Sequence, residues 1–337
     1  MVRFSDIIDD GHKIDAEKLS RREEVNLRKT GIWNMGKIKG KNTMDEARVY
    51  YQQLLTLANK VQSWVQNNET INISLVFHLL QTLIENDLID SLYHYLVFKA
   101  NRQRITVTHA IELTIFSLKI GMGMGYERKR LLALAIVAFL HDVGMYKIHE
   151  NIVEKKGKLN EREFKEIQRH PTISADLLST LGSKYTWLAN VSSQVHERAD
   201  GSGYPKGLKE GEIHEYAYII GLVDIYSAMI KDRPYRDRIE KNRAMKSIIA
   251  SGKGKFPAKI IKVFLNQISF FPVGSHIRLN DRSVGRVITT NPHFPLKPTV
   301  EILHDNVGTR LKKSRIVDLS KQPLLYITES IDERDLI

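Results

Sequence analysis

The stretch that decides the fold is VHERADGSGYP, residues 195–205, where a helical pattern gives way to a loop rich in glycine. Glycine and proline often mark nothing more than a turn, because their backbone angles suit one. Here an aromatic side chain, Tyr204, lies between Gly203 and Pro205 and close in sequence to an imidazole, His196. Loops that carry such side chains on a rigid scaffold are typical of binding and catalytic sites. The stretch therefore predicts a functional loop at the end of a helix.

Upstream of this loop, an apolar helix is predicted over Arg128–Leu140, and His141 and Asp142 follow directly. A histidine there is explained by hydrogen bonds to the last carbonyl groups of the helix. Asp142 is not, because its charge opposes the helix dipole at that end. Burying a carboxylate is costly unless it is paired or binds a metal. The position of Asp142 therefore predicts a cationic partner.

A second histidine lies on an apolar stripe further upstream. Helical spacing places His109 on the same face as Leu113 and Phe116 in a helix predicted over Thr108–Ile120, with Gly121 as its C-cap. His109 therefore points inward. Taken alone, a histidine on such a face is more often a core residue than a metal ligand.

Two further polar residues stand at unusual places. His170 precedes Pro171, which predicts a junction between two helices. Taken alone, His170 is a surface residue. Asp224 lies in an apolar helical stretch, where a carboxylate needs a cation or hydrogen-bond donors, and an arginine partner is the alternative to a metal.

The remaining pattern predicts a mainly α protein with a small β appendage at the C-terminus. Residues 1–42 predict an irregular arm, and 43–99 a helical N-terminal domain that breaks near Asn86. Helices continue over 100–270. After Phe271 the character changes, since four short strand-like runs separated by turns predict a β-rich extension over 271–337. These runs are His276–Leu279, Val284–Thr289, Pro298–Leu303 and Arg315–Leu319.

Taken together, these motifs resemble the HD-GYP domain family of metal-dependent phosphohydrolases, over roughly residues 105–270. Several motifs occur in the family's order, which makes coincidence improbable. They are His109, His141-Asp142-Val143-Gly144, His170-Pro171, His196-Glu197-Arg198, the Asp200-Gly201-Ser202-Gly203-Tyr204-Pro205 loop, Asp224 and Asp232-Arg233-Pro234-Tyr235-Arg236.

The resemblance implies a helical HD-domain bundle that holds two divalent metal ions, non-haem iron or alternatively manganese. The resemblance also implies the activity of a cyclic di-GMP phosphodiesterase in bacterial second-messenger signalling, with linear pGpG as the product or, by a second cleavage, GMP. A hydroxide activated by both metals performs the hydrolysis in such enzymes, and Asp142 takes the place of the catalytic, bridging carboxylate. The implied metal ligands are His109, His141, Asp142, His170, His196 and Asp224.

On the substrate side, the resemblance places Arg233 and Arg236 at the phosphates of the dinucleotide, where the guanidinium fork suits phosphate oxygens. Solvated surface charge is the alternative. Tyr204 is assigned to stacking on guanine or to contacting a partner, because the family's Gly-Tyr-Pro loop is also associated with diguanylate cyclase (GGDEF) domains. The members of that loop here are Asp200, Gly201, Gly203, Tyr204 and Pro205.

The chain departs from the family pattern at three positions. Met145 replaces a lysine thought to assist at the substrate phosphate, and Lys147 is the nearest candidate for that role. Val195 replaces the first of two consecutive histidines. Ile105 replaces the glutamate of members with three metals, so two metals at most are expected. A receptor or protein-interaction module that keeps the metals but is weak or inactive as a catalyst is therefore the alternative hypothesis.

Composition narrows the other possibilities. With no cysteine among 337 residues, disulfides, thiolate zinc sites and iron–sulfur clusters are excluded, so imidazole and carboxylate must hold any metal. A net charge of +12 suits a polyanionic partner, yet no nucleic-acid motif is present, so no specific nucleic acid is expected. No apolar run could span a bilayer, and the expected location is the cytoplasm. Hydrolysis of another phosphate ester is a third possibility.

Overall fold

The computed structural model describes residues 43–98, 105–155, 157–230, 241–271, 273–291, 294 and 296–331. Helices dominate as far as Gln267, which confirms the mainly α prediction. They are α1 (Thr43–Gln66), α2 (Ile73–Glu85), α3 (Ile89–Phe98), α4 (Ile105–Gly123), α5 (Arg128–Leu140), α6 (Glu150–Val153), α7 (Glu161–Ile167), α8 (His170–Ser179), α9 (Thr186–Ser192), α10 (Glu215–Ile230), α11 (Lys241–Gly252) and α12 (Ala258–Gln267), with short 3-10 segments at Val143–Lys147, Ser183–Tyr185 and Leu319–Lys321.

Three helices form the centre of the bundle. α4, α5 and α10 are apolar on nearly every face, as expected for helices that other helices surround. α4 packs against α5 and α10, and α1, α3 and α12 cover its remaining sides. The candidate ligands His109 and Asp224 lie on α4 and α10, while His141 and Asp142 follow the end of α5. The polar cluster is thus built into the most buried part of the bundle.

The C-terminal region forms one antiparallel sheet of β1 (His276–Leu279), β2 (Val284–Thr289), β3 (Thr299–His304), β4 (Arg310–Asp318) and β5 (Ile327–Ile331). The strand order is β4-β3-β2-β1-β5, so consecutive strands pair as neighbours from β1 to β4 and β5 returns beside β1. Alternate side chains such as Ile277, Val300 and Ile302 form its buried face. This confirms the small β appendage.

Three details of the sequence prediction were wrong. Gly121 does not cap α4, because the helix continues to Gly123. Gly121 instead allows α4 and α5 to pack closely, since a Cβ at this position would lie 2.9 Å from side-chain atoms of Leu131 and Leu134 on α5. In the sheet, β4 begins at Arg310 rather than Arg315, and β5 was not predicted, because its exposed, polar residues leave little apolar alternation.

The predicted arm over residues 1–42 lies outside the described residues, as do Arg233 and Arg236. The domain boundaries proposed from sequence stay predictions. Within the described parts of the chain, every helix is too short or too polar to cross a bilayer.

Candidate metal centre

The six side chains proposed as ligands form one continuous chain of contacts. His141 Nε2 is 3.5 Å from Asp142 Oδ1, which is 3.0 Å from His170 Nε2. His170 Nε2 is 2.9 Å from His196 Nε2. His196 Nδ1 is 3.9 Å from Asp224 Oδ2, and Asp224 Oδ1 is 3.0 Å from His109 Nε2. Residues separated by up to 115 positions in sequence are therefore brought into a single cluster.

Helix geometry aims two of the imidazoles. Nδ1 of His141 is 2.9 Å from the carbonyl oxygen of Ala138, and Nδ1 of His170 is 2.6 Å from that of Ile167. A carbonyl only accepts, so each Nδ1 carries the proton and donates it. Each Nε2 then presents a lone pair toward the cluster. This is the arrangement in which histidines usually bind metals.

Buried polar atoms in the cluster lack partners. Among the described residues, His141 Nε2 makes no hydrogen bond, and Asp142 Oδ1 makes none of good alignment despite its proximity to His170. Leaving such atoms unpaired is costly, and each one calls for a missing partner. Atoms of Asp142, His170 and His196 all lie within 4.8 Å of one another, a spacing that a single ion can bridge. The residues therefore fit a divalent cation.

Close backbone packing holds the two ligand segments together. Gly144 lies against the start of α8, and a Cβ there would be 2.2 Å from the His170 carbonyl oxygen. The Gly144 amide also donates to Ser174 Oγ at 2.8 Å. On the other side, Ser192 Oγ donates to the His141 carbonyl at 2.9 Å. Only glycine allows this approach, which explains the glycine two residues after Asp142.

Charges within the cluster shift its pKa values strongly. Burial would raise the pKa of Asp142, but the imidazoles of His141 and His170 outweigh it and hold that pKa well below the usual range. For His170 burial acts downward, but the charge of Asp142 raises the pKa overall. Burial, reinforced by His170, lowers the pKa of His196 to about 3. His196 is therefore neutral at physiological pH and able to bind a cation.

Asp224 is ionised as well. Burial opposes its ionisation, but the hydrogen bond from His109 outweighs this effect and lowers the pKa of Asp224. The cluster thus holds two carboxylates among four imidazoles, with side chains no more than about a quarter exposed. Such a set of hard and borderline donors, without sulfur, suits iron or manganese.

The Gly-Tyr-Pro loop is held in place by Glu197, which precedes it and whose side chain is almost fully buried. Its two carboxylate oxygens accept from the amides of Lys206 at 2.6 Å and Leu208 at 2.9 Å. Tyr204 donates its amide to the His196 carbonyl, and its ring stacks on His196 at 4.9 Å and 4°. The loop therefore places the Tyr204 ring in contact with the candidate ligand His196.

The other predicted substrate residues lie in different settings. Lys147 donates to Asn68 Oδ1 at 2.7 Å, beyond the end of α1. Met145 is half-buried, and Val195 is fully buried, with its carbonyl facing Gly221 of α10. Asp200 stabilises its turn by accepting from the amide and hydroxyl of Ser202.

Sequence reasoning missed two buried polar residues beside the cluster. Ser227 Oγ lies 3.4 Å from His109 Nδ1 and donates to Glu112 Oε2 at 3.4 Å. Each stands three positions after a candidate ligand, Glu112 after His109 and Ser227 after Asp224. That helical spacing was the available signal, because residues three apart share a helix face.

Comparison with known proteins agrees with this geometry. The family model described as "HD domain" matches residues 86–260, more than half of the chain, and a second, "KOW domain associated with HD domain", matches residues 276–337. The chain belongs to the HD-domain family. Together with the names of its relatives, the match to the HD-domain model confirms the HD-GYP resemblance seen in the motifs. The antiparallel sheet β1–β5 lies within the residues that the KOW model matches.

Similar curated proteins carry phosphodiesterase names. The chain is 28% identical to the cyclic di-GMP phosphodiesterase PdeB of Borreliella burgdorferi, over 64% of this chain and 55% of the relative. It is 26% identical to the cyclic di-GMP phosphodiesterase PA4108 of Pseudomonas aeruginosa, over 64% and 52%. A 3'3'-cGAMP-specific phosphodiesterase of Vibrio cholerae is 36% identical over 37% of this chain and 28% of its own length. The chain thus spans about half the length, or less, of these relatives.

Among solved structures, an HDG"Y"P protein from Bdellovibrio bacteriovorus superposes with a TM-score of 0.55 at 17% identity, covering 71% of this chain and 77% of that one. At that identity the likeness concerns the fold. It supports the helical HD architecture described above.

Proposed function

We propose that this chain is a metal-dependent phosphodiesterase that hydrolyses cyclic di-GMP to linear pGpG, with GMP as the product of a second cleavage. The observation that carries the proposal is the six-residue cluster, in which imidazole lone pairs and carboxylates converge on one buried region. The names of the relatives in Borreliella burgdorferi and Pseudomonas aeruginosa support the choice of substrate.

The proposed ligands of two divalent cations are His109, His141, Asp142, His170, His196 and Asp224, with iron preferred over manganese and Asp142 shared between the ions. Bound there, the cations would supply Lewis acidity to a phosphodiester and activate water as the nucleophile. The protein's own contribution is orientation. Ala138 and Ile167 hold the imidazoles of His141 and His170 with Nε2 aimed inward, so little rearrangement is needed on binding.

Substrate contacts are proposed for Arg233 and Arg236, which come after α10 and Asp224 in the sequence. Their guanidinium groups would bind the phosphate oxygens. Tyr204 keeps one ring face on His196, so its proposed contact with a guanine base uses the phenol edge or the opposite face. Lys147 is proposed at the phosphate only if it exchanges Asn68 for the substrate.

The direct test is to incubate iron-loaded and manganese-loaded protein with cyclic di-GMP and to separate the nucleotides by chromatography. We expect pGpG to accumulate with at least one metal, and an Asp142→Asn variant to form none. The absence of product with both metals would refute hydrolysis of this substrate.

A receptor that binds cyclic di-GMP with little turnover is the second candidate, and two residues favour it. Met145 can neither carry charge nor donate a proton, and Val195 is a fully buried apolar residue where the family has an imidazole. Calorimetry would then detect tight binding without product. Restoring Met145→Lys and Val195→His should raise turnover if these changes caused the loss.

The Gly-Tyr-Pro loop, including Asp200, Gly201, Gly203 and Pro205, is also proposed as the contact for diguanylate cyclase (GGDEF) domains. Its exposed turn at Ser202 is held rigid by Asp200, which suits a docking surface. Pull-down with a purified GGDEF domain tests this, with the Tyr204 ring left unchanged so that the metal cluster is not disturbed.

A further inference from the structure

His109 is held differently from His141 and His170. His141 and His170 each donate Nδ1–H to a backbone carbonyl three positions earlier. His109 has a side-chain neighbour instead: its Nδ1 faces Ser227 Oγ of α10 at 3.4 Å. Ser227 in turn donates to Glu112 Oε2 at 3.4 Å. The orientation of His109 therefore depends on two side chains from different helices.

These residues form a two-step polar ladder between α4 and α10. His109 and Asp224 make the first step at 3.0 Å, and Glu112 and Ser227 make the second one helical turn further along. The ladder is enclosed, because Ser227 is fully buried and Glu112 is 6% exposed. A carboxylate in such a place needs a reason, since burying it is costly.

The tautomer of His109 supplies that reason. Without a cation, Nε2 lies 3.0 Å from the ionised carboxylate of Asp224 and carries the proton in that hydrogen bond. To bind a cation, Nε2 must instead present its lone pair, and the proton must then lie on Nδ1. Nδ1–H would donate to Ser227 Oγ, and the serine hydroxyl would donate to Glu112.

We propose that Ser227 and Glu112 are positioning residues that stabilise the cation-binding tautomer of His109, an inference that rests on the metal centre of the proposed function. Glu112 has a clear role in this chain of hydrogen bonds, because it accepts the Ser227 hydroxyl proton and so directs the lone pairs of Ser227 Oγ toward the imidazole. A hydrogen-bond acceptor behind a ligand histidine also makes that histidine more basic.

Burial alone does not distinguish Ser227, and the chain contains a matched control. Ser117 lies in α4, is likewise fully buried, and its Oγ makes no hydrogen bond among the described residues. Glu112 also lies near Tyr51. Burial, and after it the charge of Glu112, raises the pKa of Tyr51 to about 12. Conservative variants of each residue therefore give the cleanest comparison.

The test measures Mn²⁺ affinity by equilibrium dialysis for the full-length wild type and for Ser227→Ala, Glu112→Gln, Ser227→Thr and Ser117→Ala. We expect Ser227→Ala and Glu112→Gln to bind about 10- to 100-fold more weakly, as is typical when the hydrogen-bond partners behind a ligand histidine are removed. Ser227→Thr keeps the hydroxyl and should stay close to the wild type, as should Ser117→Ala. Unfolding of the metal-free proteins reports separately on their stability.

The outcomes separate this inference from the proposed function. If the wild type binds Mn²⁺ and both Ser227→Ala and Glu112→Gln bind within about twofold of Ser117→Ala, the positioning role is wrong while the metal centre stands. If the wild type binds no Mn²⁺, both fail. Should Glu112→Gln not fold, the difference between Ser227→Ala and Ser227→Thr decides: equal affinities overturn the inference.

Discussion

The metal centre and the Gly-Tyr-Pro loop adjoin at His196 but are completed in opposite ways. In the loop, Glu197 accepts two backbone amides and Asp200 accepts two groups of Ser202. In the metal centre, His141 Nε2 and Asp142 Oδ1 are buried without an aligned partner among the described residues. The polar groups of the loop find hydrogen-bond partners within the protein, whereas those of the cluster need a bound cation.

This difference separates stability from function. Groups that are already paired contribute to folding, and removing one partner leaves the other buried and unsatisfied. Groups that converge without partners contribute little to folding and are retained where a ligand binds. Changes in the two regions should therefore affect different measurements, and three predictions test this.

The largest effect is expected for metal binding in Asp142→Asn. The asparagine keeps the volume but loses the charge at a position close to both His141 and His170. We expect Mn²⁺ affinity to fall by more than about 100-fold, more than is typical when only the hydrogen-bond partner of a ligand is removed. Isothermal titration calorimetry measures it directly.

The same variant should remain folded. With metal chelated at pH 8, it should keep a cooperative unfolding transition, because removing the buried carboxylate also removes its desolvation cost, which offsets part of the lost attraction to His141 and His170. Strong destabilisation of Asp142→Asn without metal would mean that the cluster is structural, and the contrast between the regions would be lost.

In the loop, Glu197→Gln should destabilise the protein by roughly 2–3 kcal/mol, because one of its two oxygens becomes a donor that faces a backbone amide. Denaturant unfolding of the metal-free protein measures this loss. An unchanged midpoint would show that the loop does not depend on Glu197.

The third prediction concerns pH. Because the neighbouring Asp142 raises the pKa of His170 overall, a proton competes with a cation for this imidazole. Mn²⁺ affinity should rise by up to about tenfold per pH unit until the pH exceeds that raised pKa. His196, with a pKa of about 3, adds no dependence in this range. A flat profile between pH 6 and 8 would argue against His170 as a ligand.

Stability without metal should follow the opposite direction. The folded pKa of His170 lies above its unfolded value of about 6.5, so the protonated form stabilises the fold. That contribution is fully present below about pH 6.5 and is lost as the pH rises through the folded pKa. Acidification to this point should therefore weaken metal binding while it supports the metal-free fold.

Much of the bundle could be predicted from sequence because its signals are local. The apolar run Arg128–Leu140 gave the bounds of α5, and Pro171 marked the start of α8. Because the motifs follow one another in the order of the HD-GYP family, the resemblance then identified the set of candidate ligands. Strand β5 was missed because an exposed edge strand shows no buried alternation.

What sequence could not provide was the partner of each polar residue across helices. Glu112 and Ser227 are separated by 115 positions, and nothing local indicates that they meet. Gly121 looked like a helix cap because its contact with α5 is invisible in the sequence. Glycines that serve close packing and serines that bridge helices are recognised only once the third dimension is known.

The most direct test of the account is the metal content of the purified full-length protein, measured by elemental analysis after loading with iron or manganese and removal of excess metal. We predict close to two ions per chain in the wild type and a strong loss in Asp142→Asn. A wild type that retains no metal, or an Asp142→Asn variant that retains as much, would contradict the metal centre proposed here.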